Sequence, residues 1–173
     1  KVITNYDVTD KKVVILGSGP VGQRTALFLL KEGAKKVIIT SRDITRSTKI
    51  TTQMKQAYDV EVTPGEARSD EAVRGLLKDA HVGIGCGPAG VCVIPKLAWA
   101  ASETLEVIAD VNAVPPHGVE ELEVMDDGIK RQGIRFYGAI AIGNFKMKVH
   151  RAAIASLYER NDLFLDETTI YGI

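Results

Sequence analysis

At 173 residues the chain is long enough for one domain with a substantial core, and its composition (45% hydrophobic, 25% charged) is ordinary for a globular protein. Lys+Arg and Asp+Glu balance at 22 each, so charge gives no basis for nucleic acid or an acidic membrane as a partner. No apolar run reaches a transmembrane span, and residues 1–7 hold no signal-peptide core, so a cytoplasmic protein is expected.

Val13-Val14-Ile15-Leu16 is an apolar, β-branched run that reads as a buried strand. Gly17-Ser18-Gly19-Pro20-Val21-Gly22 follows it. Residues 23–30 then read as a helix ending near Glu32 and Gly33, and residues 36–40 as a second strand. This is GxGxxG in the strand–turn–helix setting needed to cradle a dinucleotide. Gly17 would permit the tight turn, Gly19 would let backbone approach a pyrophosphate, and Gly22 would let helix and strand pack closely. The whole loop, with Ser18, Pro20 and Val21, is the candidate pyrophosphate site, because a helix start offers free N–H groups and partial positive charge.

Residues 46–58 place Ile50, Met54 and Ala57 at helical spacing. Residues 60–63 read as a short third strand closed by Pro64-Gly65. Ser69 caps a helix with acids in its first turn and Ala72, Val73, Leu76 and Leu77 as its buried stripe. Residues 80–85 read as the fourth strand, 95–102 as a helix, 105–112 as the fifth strand and 135–140 as the sixth. A last helix is expected over about 145–159. About six strands alternating with helices imply an α/β fold with a doubly wound parallel sheet (the Rossmann fold), ordered 3-2-1-4-5-6. Ligand loops then lie at the carboxyl ends of the strands, around the switch point between strands 1 and 4.

The end of the second strand bears on the choice of cofactor. Thr40-Ser41-Arg42-Asp43 offers a hydroxyl and a planar guanidinium suited to phosphate oxygens, with Arg46, Ser47 and Lys49 nearby. This favours the 2′-phosphate of NADP. Asp43, if turned inward, could instead serve a 2′-hydroxyl and permit NAD. After the fourth strand, Gly85-Cys86-Gly87-Pro88-Ala89-Gly90 is dense in small residues that let a flat ligand lie on backbone, so Gly85, Cys86 and Gly87 are candidate cofactor contacts. The CxxxxxC spacing of Cys86 and Cys92 fits neither zinc nor thioredoxin chemistry. Two free thiols and no metal are expected. His81 reads as a satisfied strand histidine, and Trp99 and Tyr137 as packing residues.

Three stretches together, GSGPVGQR, ADVNAVPP and GAIAIGNFKMKVHRA, resemble the NADP-binding, C-terminal domain of the methylene-tetrahydromethanopterin dehydrogenase family, including its methylene-tetrahydrofolate-acting bacterial relatives. The resemblance runs over essentially the whole chain. It implies reversible hydride transfer between NADP and the one-carbon bridge of a reduced pterin or folate. It also implies that Gly17, Gly19, Pro20, Val21 and Gly22 hold pyrophosphate and that Ser41 and Arg42 hold the 2′-phosphate. Asn112 and a turn from Gly143 to Lys146 would line the nicotinamide side. Lys146 is a candidate for a substrate-facing group, and no acid–base pair is required. The resemblance further implies a pterin-binding domain before residue 1, so that residues 1–173 form the NADP-binding domain alone; a homo-oligomer is expected. The alternatives are the cofactor domain of another two-domain NADP oxidoreductase, of the shikimate dehydrogenase or glutamyl-tRNA reductase type, and a non-catalytic NADP-sensing module.

Overall fold

A computed structural model describes residues 6–160, 162–166 and 169–170. The elements run β1 (Lys12–Leu16), α1 (Pro20–Lys31), β2 (Lys36–Ser41), α2 (Ile44–Tyr58), β3 (Thr63–Glu66), α3 (Asp70–Leu77), β4 (Val82–Gly85), α4 (Lys96–Trp99), β5 (Val107–Asp110), β6 (Asp127–Arg131), β7 (Ile134–Tyr137) and α5 (Ala139–Glu159). They build one sheet ordered β3-β2-β1-β4-β5-β7-β6. All pairings are parallel except β6 with β7. The expected doubly wound order is therefore present, with the sixth parallel position taken by β7.

Because successive strand side chains face opposite ways, β1 and β2 supply two cores. Val14, Leu16 and Ile38 meet Val73 and Leu77 of α3 and Ala98 and Trp99 of α4. Val13, Ile15, Val37 and Ile39 meet Ala26 and Leu27 of α1 and Met54 of α2. Trp99 is fully buried, packs edge-on to Phe136 with ring centroids 5.1 Å apart, and donates its indole N–H to the Glu120 carbonyl at 3.1 Å. The buried indole thus keeps a hydrogen bond, as burial of a polar group requires. His81 is satisfied in the same way, its Nδ1 accepting from the Lys12 N–H at 3.2 Å.

Several boundaries depart from the sequence reading. β3 begins at Thr63, so Pro64 and Gly65 lie within the strand instead of closing it. Pro64 is tolerated there because β3 is an edge strand, where the missing N–H breaks no ladder. A Cβ on Gly65 would sit 2.9 Å from Ile38 Cγ2, so close approach to β2 requires the glycine. α2 starts at Ile44, not 46, and buries Ser47, Thr51 and Met54, leaving Ala57 exposed. α4 is a single turn.

β6 was not anticipated. It returns on β7 through Gln132 and Gly133, both with positive φ (50° and 84°), the signature of a tight hairpin turn. Arg131 and Asp126, at 2.6 and 3.0 Å, clamp the hairpin, and the Arg131 guanidinium lies 5.0 Å from the Phe136 ring centroid. The last helix begins at Ala139, not near 145, because β7 ends at Tyr137 and Gly138 forms the N-cap. A Cβ on Gly138 would fall 2.2 Å from the Glu123 carbonyl oxygen. Of the C-terminal tail, residues 161, 167–168 and 171–173 lie outside the described residues. Among the described residues no helix is long and apolar enough to cross a membrane.

Candidate dinucleotide-binding site

The site is built where β1 hands over to α1. Gly17 has φ +131°, a conformation other residues rarely adopt, and a Cβ there would meet the Cys86 carbonyl oxygen at 2.2 Å. A Cβ on Gly22 would meet the Gly17 carbonyl oxygen at 2.3 Å. These two glycines are thus demanded by the protein's own packing. Gly19 differs: a Cβ there would meet nothing within 4 Å. It would project into open space at the helix start.

α1 starts without a side-chain cap, as α4 and α5 also do, and of these three it is the one that follows β1 at the switch point. Gly19 is its N-cap and Pro20 opens the helix, with no side-chain cap hydrogen bond. By contrast Asp43 caps α2 through the Thr45 N–H at 2.9 Å, and Ser69 caps α3 through the Ala72 N–H at 3.3 Å. A first helical turn has N–H groups with no carbonyl partner, and without a cap these remain available to an anion. Gln23 braces the loop by donating from Nε2 to the Ser18 carbonyl at 2.9 Å, and Ser18 is buried. Pro20 and Val21 are exposed at the rim. The residues present fit a pyrophosphate.

Ser41, Arg42 and Arg46 cluster at the carboxyl end of β2 and the start of α2. Ser41 Oγ accepts from the Asp43 N–H at 3.1 Å and donates to the Asp43 carbonyl. Asp43 spends a carboxylate oxygen on the α2 cap. Arg42 and Arg46 are exposed. Arg68 joins them: its Nε donates to the Arg42 carbonyl at 3.4 Å, and its guanidinium pairs with Glu66 at 3.0 Å. Sequence reasoning passed over Arg68 because ending β3 at residue 63 hid it as a strand-end residue.

The loop after β4 crosses directly beneath Gly17, with the Cys86 N–H donating to the Leu16 carbonyl at 2.9 Å. Burial, with the Asp110 charge adding to it, pushes the Cys86 thiol up to about 12 against a hydrogen bond with Thr25 that lowers it. Cys86 is therefore a thiol at neutral pH and a packing group, not a nucleophile. Cys86 and Cys92 are both free. Glycine at 87 makes room for Val93, 2.5 Å from the position of a Cβ, and glycine at 85 makes room for the Asp110 carboxylate, 3.0 Å away.

Asn112 is buried, and its amide is fully engaged in its own loop. Oδ1 accepts from the Val114 N–H at 3.0 Å, while Nδ2 donates to the Val114 and Pro116 carbonyls at 3.1 and 3.4 Å. The Pro115-Pro116 peptide is cis. Asp110 was not singled out from the sequence, although it is the carboxylate that ends β5. Gly143 and Lys146 do not form a turn. Both lie inside α5, Gly143 facing open space and Lys146 exposed well beyond the first turn. Among the described residues no group of three or more His, Cys, Asp or Glu side chains could hold a metal ion.

Sheet order, an uncapped α1 and an open glycine cradle together define a dinucleotide-binding domain of the Rossmann type. Residues 1–68 match the shikimate / quinate 5-dehydrogenase family model. The chain is 35% identical over 163 residues to "Bifunctional protein MdtA" of Methylorubrum extorquens, a match covering 94% of this chain and 56% of the relative. It is 31% identical over 174 residues to the NAD(P)-dependent methylenetetrahydromethanopterin dehydrogenase of the same organism, covering 96% and 58%. The chain thus spans little more than half the length of these relatives. In fold it is similar to quinate dehydrogenase from Corynebacterium glutamicum in complex with NAD (TM-score 0.60, 20% identity, 95% of this chain and 54% of that one). These likenesses support a nicotinamide-dinucleotide-binding domain of the dehydrogenase kind.

Proposed function

We propose that the chain is the NADP-binding portion of a dehydrogenase that moves hydride between NADP and the methylene bridge of a reduced one-carbon carrier, methylene-tetrahydromethanopterin or methylene-tetrahydrofolate. The observation that carries the reading is the open space at Gly19 in front of an uncapped α1, in a chain similar over nearly its whole length to a methylenetetrahydromethanopterin dehydrogenase. Gly17, Ser18, Gly19, Pro20, Val21 and Gly22 would hold the pyrophosphate. Ser41, Arg42 and Arg46, joined by Arg68, would hold the 2′-phosphate, since guanidinium forks suit phosphate and Asp43 is engaged as a cap. The loops bearing Gly85, Cys86, Gly87 and Asn112 would flank the nicotinamide side, with Gly143 of α5 beyond them. NAD remains the alternative cofactor.

When bound, the nicotinamide supplies the hydride acceptor. A methylene held between two nitrogens that loses hydride leaves a cation stabilised by their lone pairs, so no proton need be abstracted. The demand on this chain is orientation and exclusion of water. That agrees with the engaged Asn112 amide and the neutral Cys86 thiol. Neither Cys86 nor Lys146 is assigned a catalytic step. The pterin would be held with the help of residues outside this chain, in a cytoplasmic homo-oligomer.

A second reading has a specific observation in its favour: the match of residues 1–68 to the shikimate / quinate dehydrogenase family model. The test is a hydride-transfer assay on the full-length protein with both one-carbon carriers and with shikimate and quinate, each with NADP and NAD. Turnover of a methylene carrier with NADP is the expected result. Turnover of shikimate or quinate instead would replace the reading. Tight NADP binding with no turnover of any of them would favour a sensing module.

A further inference from the structure

The Asp110 carboxylate is completely buried at the end of β5. It accepts from two backbone N–H groups of the following loop, Asn112 at 3.0 Å and Gly118 at 2.6 Å. Gly118 in turn uses its carbonyl to accept from the Val93 and Ile94 N–H groups, at 2.8 and 2.9 Å, beyond the β4 loop. Two glycines make room for the carboxylate: a Cβ on Gly85 would lie 3.0 Å from Oδ1, and one on Gly118 2.7 Å from it. The tips of the two loops also meet, since a Cβ on Gly90 would lie 3.6 Å from the Pro115 carbonyl oxygen. Burying a carboxylate is costly unless its oxygens are used, and here both are. A neutral amide in its place could accept on one atom only and would turn N–H against N–H on the other.

We infer that Asp110 is a positioning residue that locks the loops after β4 and β5 to each other and thereby shapes the nicotinamide half of the cleft. The nucleotide part of this inference rests on the proposed function. Asp110 itself lies beneath the loops. It acts through Asn112 and Gly118, which reach the Val93–Ile94 end of the β4 loop, whereas the α1 start meets that loop at its Cys86 end and the β2 end is held by the Ser41–Asp43 contacts.

The test compares wild type with Asp110→Asn by titration calorimetry, using NADP and 2′-phospho-ADP-ribose, which lacks the nicotinamide. The variant should bind NADP about tenfold more weakly, because the loops proposed to face the nicotinamide lose their tie, and 2′-phospho-ADP-ribose within about twofold of wild type. Equal affinities for wild type and variant, or an equal loss for both ligands, would overturn the inference. Amide hydrogen exchange supplies a ligand-free readout. Exchange at Asn112, Gly118, Val93 and Ile94 should quicken in the variant while Val13, Val14 and Ile15 stay protected, and unchanged exchange would sink the loop-locking role. If wild type bound neither nucleotide, the proposed function and the nicotinamide half of the inference would both fall, and exchange would still decide the locking. Should Asp110→Asn fail to fold, Gly85→Ala crowds the same carboxylate more gently. It should give a smaller split of the same sign, and no split would overturn the inference.

Discussion

Gly17 and Cys86 are in contact through backbone alone: the position of a Cβ on Gly17 lies 2.2 Å from the Cys86 carbonyl oxygen, and the Cys86 N–H is bonded to the Leu16 carbonyl. The first loop of the fold is thus seated on the loop after β4. Gly17→Ala therefore combines a clash with backbone and an unfavourable φ, and should destabilise the protein by about 3 kcal/mol. Urea unfolding followed by circular dichroism measures this, and a midpoint equal to wild type would contradict the packing described.

Gly19→Val should behave in the opposite way. Its side chain enters open space, so the melting temperature should stay within about 2 °C of wild type. Nucleotide binding should nevertheless be lost for NADP and NAD alike, because the isopropyl group occupies the place proposed for the pyrophosphate. Calorimetric heat undiminished by the substitution would remove the pyrophosphate from this corner.

Arg42→Ala should weaken NADP by about 1.5–3 kcal/mol, roughly ten- to a hundredfold, and leave NAD nearly unchanged. Arg68→Ala should act in the same direction with a smaller effect, since that side chain shares its charge with Glu66. Parallel dissociation constants for the two cofactors provide the check. A matched loss for NADP and NAD would place the 2′-phosphate elsewhere.

Cys86 makes a pH-dependent contribution whose sign follows from its burial. The ordinary thiol value is 9.0 and the folded value about 12. Above pH 9 the unfolded chain releases this proton while the folded chain retains it, so stability should fall as pH rises from 9 towards 12, with no contribution below 9. Cys86→Ala should flatten that slope in urea midpoints compared at about pH 8 and about pH 10.5. Iodoacetamide at neutral pH should label the exposed Cys92 well before Cys86. Faster labelling at Cys86 would mean the thiol is activated.

Periodicity and turn chemistry revealed the layered sheet, its strand order and the glycine loop, because β1, β2 and β4 are buried on both faces and read as unbroken apolar runs. They failed where local rules yield to position in the sheet. Pro64 looks like a strand breaker until β3 is known to be an edge. The Gln132-Gly133 turn was a readable hairpin signal, but β6, spelled DGIKR, carries too little apolar pattern to announce a strand. The start of α5 was misplaced by carrying the sixth strand through Gly138 to Ile140 and reading Gly143 to Lys146 as a turn, whereas Gly138 ends the strand and is needed for contact with the 123–124 backbone. Asp110 and Arg68 could not be singled out in sequence, since each draws its significance from groups on another loop.

Trp99 is the chain's single tryptophan, and it stands sealed at the end of α4 against Phe136. The protein therefore carries a built-in optical reporter for one face of its sheet. Its emission should sit to the blue while that layer is intact and move red only when water reaches the indole. A variant that loses ligand yet keeps the blue emission has been altered at its binding surface, and one that reddens has come apart within.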